Sequence, residues 1–162
     1  MINFTIHGKQ ITQGSKKSHA IYGRDGKPVM KNGRVITVTR NDNENLDNWR
    51  QQVASVARAE FERQYDKDAP LLMGPIQLSV SFIIPRPKGH FGKGRNAARI
   101  KESAPKHHTI KPDSLKLTRA IEDALTGVVY GDDSQVCRHE ITKHWGASYM
   151  TGVIITEIDA TK

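Results

Sequence analysis

A chain of 162 residues, 36% of them hydrophobic, falls in the size range of one soluble domain with its own core, and folding needs no disulfide staple. Its 25 lysines and arginines outnumber 17 aspartates and glutamates to leave a formal charge of +8, which directs attention to anionic partners and to nucleic acid first. The apolar runs fall far short of the ~20 residues of a membrane-spanning helix, the N-terminal stretch does not read as a signal peptide, and a lone cysteine, Cys137, excludes an internal disulfide, so a reducing cytoplasm is the expected setting.

In chain order, Ile2, Phe4 and Ile6 alternate with polar neighbours and predict a half-buried strand that Gly8 ends. The stretch 10–32 mixes glycines, Pro28 and Asn32 with Lys16, Lys17, Arg24, Lys27 and Lys31, the composition of a basic loop; it reads equally as a DNA-facing arm and as a solvated surface loop. Val35, Ile36 and Val38 predict a short strand ending near Arg40. A long helix then runs from about Leu46 to Tyr65, with Leu46, Trp49, Val53, Val56, Ala57 and Phe61 on its apolar stripe and Asn43 or Asn45 as its cap. The clearest strand follows, where Ile76, Leu78, Val80, Phe82 and Ile84 alternate with other residues until Pro85 and Pro87 stop it.

The connection 85–109, about 25 residues long, is glycine- and lysine-rich, and a loop of that length inside one domain is usually functional. From Arg86 to Arg119 the basic side chains are Arg86, Lys88, Lys93, Arg95, Arg99, Lys101, Lys106, Lys111, Lys116 and Arg119, against only Glu102 and Asp113. We therefore expect a flexible DNA-contacting loop that orders on binding. Within it, His107 and His108 lack a third ligand at metal spacing, so a phosphate contact or plain surface exposure is expected of them.

A second helix is predicted after Pro112, with Asp113 or Ser114 as its cap, Leu117, Ala120, Ile121, Ala124 and Leu125 as its apolar stripe, and Gly127 as its stop. Lys116, Arg119 and Asp123 share another face. Gly131 turns the chain into Asp132 and Asp133; Val136 to about Trp145 and Tyr149 to Ile158 then read as a C-terminal hairpin, with Cys137 as a half-buried strand residue. The sum is an α+β domain, 1–162, with helices on one face of a sheet. Acidic residues at both ends of one helix, inside a basic chain, have two readings: a metal site facing a polyanion, or a cap at Asp113 and a turn at Asp132 and Asp133. Phosphodiester hydrolysis would suit the first, since Mg²⁺ takes few protein carboxylates and completes its shell with water and phosphate oxygens, but the residues alone are as well explained by the second.

Lys111-Pro112-Asp113, Leu117, Arg119, Asp123-Ala124-Leu125, Gly127-Val128 and Asp132-Asp133-Ser134-Gln135-Val136 together resemble the RusA family of Holliday-junction resolvases. Supporting likenesses are Gly14-Ser15-Lys16-Lys17, Trp49-Arg50, Pro85-Arg86-Pro87-Lys88 and Lys143, so the resemblance spans most of the chain. It implies a homodimeric α+β endonuclease, a mixed β-sheet with two main helices packed on it, that nicks four-way DNA junctions using Mg²⁺ or Mn²⁺ in recombination, repair or phage DNA processing. It further implies metal ligation by Asp113, Asp132 and Asp133 and charge stabilisation by Arg119 where the family usually has lysine, while the basic residues Lys16, Lys17, Arg86, Lys88, Lys93, Arg95, Lys111, Lys116 and Lys143 are expected to contact DNA. The family's Asp-x-Asp-Asn is here Asp113-Ser114-Leu115-Lys116. With Leu115 at the second aspartate, the alternatives are a metal held by the remaining carboxylates, with Asp123 nearby, and a branched-DNA-binding protein without cleavage.

Overall fold

Alternation and helical periodicity build most of the architecture. In the computed structural model, residues 1–14, 16–41 and 45–159 are described, with the side chains of residues 16, 17 and 39–41 outside that description. The elements run β1 (Ile2–His7), β2 (Lys16–Ala20), β3 (Met30–Lys31), β4 (Arg34–Val35), β5 (Thr37–Asn41), α1 (Leu46–Gln64), β6 (Ile76–Pro85), α2 (Ser114–Leu125), β7 (Val136–Gly146) and β8 (Met150–Glu157).

Four strands form the main sheet in the order β1-β8-β6-β7. Strand β6 lies antiparallel to β8 and parallel to β7, so the sheet is mixed. The apolar half of each alternation points one way: Ile2, Phe4 and Ile6, then Leu78, Val80 and Phe82, then Val153 and Ile155 are buried in one cluster with Leu46, Trp49, Val53, Ala57 and Phe61 of α1 and with Leu117, Ala120, Ile121 and Leu125 of α2. Both helices therefore cover the same face, as the α+β reading expects. Phe82 is fully buried; its truncation to alanine is expected to cost about 3–5 kcal/mol.

The expected C-terminal hairpin does not form. Strands β7 and β8 are consecutive in sequence, but β6 lies between them, and Ala147 to Tyr149 carries the chain across the end of β6. The long, fully alternating β6 uses the hydrogen-bonding groups on both its edges, while β7, with Arg138, His139 and Glu140 exposed, is an edge strand of the charged kind. The β6–β7 register shifts between Ile76 and Gln77, leaving Cys137 as the extra residue of a bulge. That displacement explains why Cys137 is exposed rather than half-buried.

The basic stretch 10–32 is not one loop. Strands β2 and β5 pair antiparallel from Lys16↔Asn41 to Ala20↔Thr37, and β3 pairs with β4 beyond them. The strand expected from Val35, Ile36 and Val38 to about Arg40 is present as β4 and β5, whereas exposed side chains such as Tyr22 and Met30 deprive the first half of the ribbon of the buried alternation that reveals a strand. Helix α1 begins where expected, with the Asn45 carbonyl accepting from the Trp49 amide at 3.1 Å, while Asn43, the other expected cap, lies outside the described residues. Helix α2 stops at Leu125, and Gly127 follows at φ +71°, a conformation that favours glycine.

Candidate nucleic-acid interface and carboxylate positions

Strand β7 runs back along α2, so its middle lies beside the segment leading into that helix. There Lys143 donates to the carbonyls of Ile110 and Pro112, each at 2.8 Å. An ammonium has three donors, and two are taken; Lys143 thus anchors the backbone ahead of Asp113, whereas the family likeness implied a DNA contact. Asp113 itself stands at the N-cap position of α2, but its carboxylate makes no capping hydrogen bond. It instead lies 3.8 Å from the Lys116 ammonium, with both side chains more than half exposed.

Beside Asp113 opens a cleft of about 500 Å³, lined by Lys9, Gln10, Thr12, Asn45, Lys111, Pro112 and Lys116 among others. Three ammonium groups face one carboxylate there, so the cleft favours anions. Lys9 and Gln10 reach it because the segment after β1 is held to α2, where the Gln13 amide donates to the Lys116 carbonyl at 3.0 Å, and no sequence pattern announces that meeting. Lys111 and Lys116, both expected to contact DNA, lie at this cleft. Arg119 follows on the exposed side of α2, one turn beyond Lys116.

The acidic pair at the other end is built into a turn. Asp132 caps a 3₁₀ turn, Asp133–Gln135: its Oδ1 accepts from the Ser134 amide at 2.9 Å, and Gln135 Oε1 accepts from the Asp132 amide at 2.9 Å. Gln135 Nε2 fastens this turn to the carbonyls of Leu72 and Gly74. Hydrogen bonds from Ser134, side chain first and then backbone, hold the Asp132 carboxyl below its ordinary value. Asp133 is exposed next to it.

Asp113 and the Asp132–Asp133 pair therefore occupy opposite ends of α2. Twelve helical residues separate them, and at about 1.5 Å per residue the helix alone spans roughly 18 Å. Asp123 is engaged by Arg50 of α1, and Glu122 pairs with His139 at 2.6 Å. Among the described residues, no group of three His, Cys, Asp or Glu side chains is placed to hold one metal ion. Within a single chain, the expected ligands do not fit a shared divalent cation, and Asp123 is not available to complete them.

The loop 85–109 is folded on itself rather than open. Two 3₁₀ turns, Lys88–His90 and Gly94–Asn96, are joined by a bridge between Phe91 and Ile100. Arg86 donates to the Pro105 carbonyl at 3.0 Å, Lys101 to the Gly89 carbonyl at 2.8 Å, and the Trp145 indole to the His107 carbonyl at 3.0 Å. The Arg86 guanidinium also lies 5.5 Å from the centre of the Trp145 ring. Lys88, Lys93 and Arg95 remain exposed on this loop. His108 departs from the expectation of surface exposure: it is 5% exposed and stacks on Trp145 at 3.9 Å between ring centres. Burial, aided by the Lys143 charge, pushes its imidazole below the ordinary histidine value of 6.5. The side chains of Lys16 and Lys17 lie outside the described residues.

An α+β domain with a lysine-lined cleft at a helix entrance and a folded basic loop beside it belongs to the class of proteins whose surfaces meet polyanions. Comparison with known families makes this specific: the family described as Endodeoxyribonuclease RusA matches residues 25–156, and the chain belongs to that family. A relative from Bacillus subtilis (strain 168), named as the uncharacterized protein YqaN, is 28% identical over 162 residues, covering 98% of each chain. No helix of the described residues is long and apolar enough to cross a membrane.

Proposed function

We propose that this protein is a structure-specific endodeoxyribonuclease of the cytoplasm that nicks four-way junctions and related branched DNA, acting as a homodimer with a divalent metal. The reading rests on one observation: the family match runs through Asp113, Arg119, Asp132 and Asp133, and the first of these sits at a cleft lined by lysines. Phosphates of the DNA lie along Lys9, Lys111 and Lys116, with Lys88, Lys93 and Arg95 extending the contact. Arg119 contributes fixed positive charge through a planar fork and is a poor proton donor.

Two-fold symmetry supplies what one chain lacks. Asp113 of one copy and Asp132 and Asp133 of the other would hold Mg²⁺ or Mn²⁺, and two such sites follow from one isologous interface. A divalent ion there would relieve charge on the scissile phosphate and supply an activated water. The test is a labelled four-way junction and a linear duplex, each with Mg²⁺ and with EDTA. Paired, metal-dependent nicks in the junction that disappear in Asp133→Asn support the enzyme.

Leu115 favours a second reading. It occupies the position of the family's second aspartate and is 71% exposed, so a side chain without an acceptor faces solvent where a ligand is expected. On that reading the protein binds branched DNA without cutting it, and tight junction binding with no nicks at any metal concentration would establish it. Leu115→Asp, at so exposed a site, leaves the fold intact and in that case confers metal-dependent nicking.

A further inference from the structure

A second, smaller pocket of about 220 Å³ opens beside the lysine-lined cleft, and Lys9, Gln10, Lys111 and Pro112 line both. The two are therefore adjoining compartments with a shared rim. Their chemistry differs: the larger holds ammonium groups, whereas the smaller is walled by His108, Trp145, Tyr149 and Ile110. Its volume is below the roughly 300–1,000 Å³ of a site for a whole cofactor. It suits a single flat ring, with any charged remainder of the ligand left in the neighbouring cleft.

One polar group on its walls is held ready, and a second lies closed behind them. Gln10, 6% exposed, has its amide nitrogen fixed by the carbonyls of Ile83 at 3.0 Å and Met150 at 2.8 Å, which leaves the carboxamide oxygen as the group's remaining polar function. His108, 5% exposed, carries a buried Nδ1 with no hydrogen-bond partner. That nitrogen is closed to solvent and its ring lies against the backbone of Ile110, so the acceptor the pocket offers a ligand is the Gln10 carboxamide oxygen. An aromatic and apolar slot with a hydrogen-bonding atom at its edge, opening onto lysines, has the chemistry of a site for a nucleobase attached to a phosphodiester.

We propose that this pocket receives one unpaired base from the branch point of the DNA, while the adjoining phosphate lies between Lys9 and Lys111. The proposal rests on the branched-DNA reading and deepens it. A base inside an intact duplex is stacked on both faces and cannot enter, whereas a base at a branch has already lost part of its stacking, so the pocket discriminates branched from linear DNA. Tyr149 is the wall residue best suited to test this, because Trp145 and His108 also hold the loop 85–109 in place.

The experiment uses the full chain in EDTA, with four-way junctions carrying 5-iodouracil at each branch-adjacent position in turn, and binding followed separately by fluorescence anisotropy. Irradiation is expected to cross-link a branch-point base to Tyr149, Trp145 or His108, and the same base in linear duplex is not cross-linked. Tyr149→Ala weakens junction binding about tenfold, in line with the loss of one stacked base, and Tyr149→Phe restores it. Cross-links that map away from these residues while the junction is bound normally overturn the proposal alone, as does full-strength binding by a folded Tyr149→Ala. Failure of the wild-type protein to bind the junction overturns this proposal and the branched-DNA reading together.

Discussion

Arg50 on α1 donates to the carboxylate of Asp123 on α2, and this pair ties the two helices together over the edge of the core. Asp123 is thereby assigned to structure, although it shares a helix with the aspartate at the cleft. Both side chains are about a quarter exposed, so the pair is worth more than a surface ion pair and less than a fully buried one. Asp123→Ala leaves the Arg50 guanidinium without this acceptor and is expected to cost about 2 kcal/mol. For a chain of this size that lowers Tm by roughly 4–8 °C. Junction binding below the transition stays unchanged, and a calorimetric scan beside a binding titration checks both.

Lys143 offers a sharper separation of roles. As a DNA contact its neutralisation would lower the salt dependence of binding; as an anchor for Ile110 and Pro112 it acts through stability. We expect Lys143→Met to lower unfolding free energy by about 1–2 kcal/mol, since the exposed carbonyl of Ile110 and the partly buried one of Pro112 lose a charged donor. The slope of log K against log salt stays at the wild-type value.

The exposed basic residues of the loop 85–109 are expected to behave in the opposite way. Neutralising Lys88, Lys93 and Arg95 together leaves Tm in place and weakens junction binding. If each meets one phosphate, the salt slope falls by about 0.9 per contact. Binding isotherms at several salt concentrations measure it directly.

His108 sets a pH dependence of stability. Its folded value lies below the ordinary 6.5, chiefly through burial and further through Lys143, so the unfolded chain takes up a proton more readily than the folded one. The unfolded state then binds more protons across the interval between the two values, and stability rises with pH there. The contribution is fully present above about pH 6.5 and is lost as pH falls through the lower, folded value. Thermal melts in that acidic range are expected to show a steep slope that His108→Phe flattens. Lys143→Met removes the second cause and narrows the window.

The helices and the two alternating strands were legible because one face of each is buried, and burial writes a period into the sequence: Leu46 to Phe61, Leu117 to Leu125, Ile2 to Ile6 and Ile76 to Ile84. Pairing partners leave no such trace. The segments 136–146 and 150–157 look like a hairpin because they are adjacent, yet their partner is β6, whose two free edges are a property of the assembled sheet. Of the β2–β5 ribbon only the return strand was legible, from Val35, Ile36 and Val38; its first half was hidden because exposed side chains such as Tyr22 and Met30 carry no alternation. Within the candidate site, Asp113 and its lysines were visible, but their neighbours Lys9, Gln10 and Tyr149 arrive from segments after β1 and before β8. The separation of Asp113 from Asp132 and Asp133 follows from helix length, which the spacing already contained. What the spacing did not contain was where the turn beyond Gly127 is fastened: Gln135 holds it to Leu72 and Gly74, and only the strand after it runs back along α2.

The central claim is that the carboxylates lying at opposite ends of α2 meet only between two copies, and a mixed dimer tests it most directly. Asp113→Asn and Asp133→Asn chains, carrying different tags, are co-expressed, and the dimer containing one of each is purified and incubated with a labelled four-way junction and Mg²⁺. In that dimer, one site combines both substitutions and the other has neither. We expect each parental dimer to be inactive and the mixed dimer to regain metal-dependent nicking at a single strand. A mixed dimer as inactive as its parents, beside a wild-type dimer that nicks, would contradict the account.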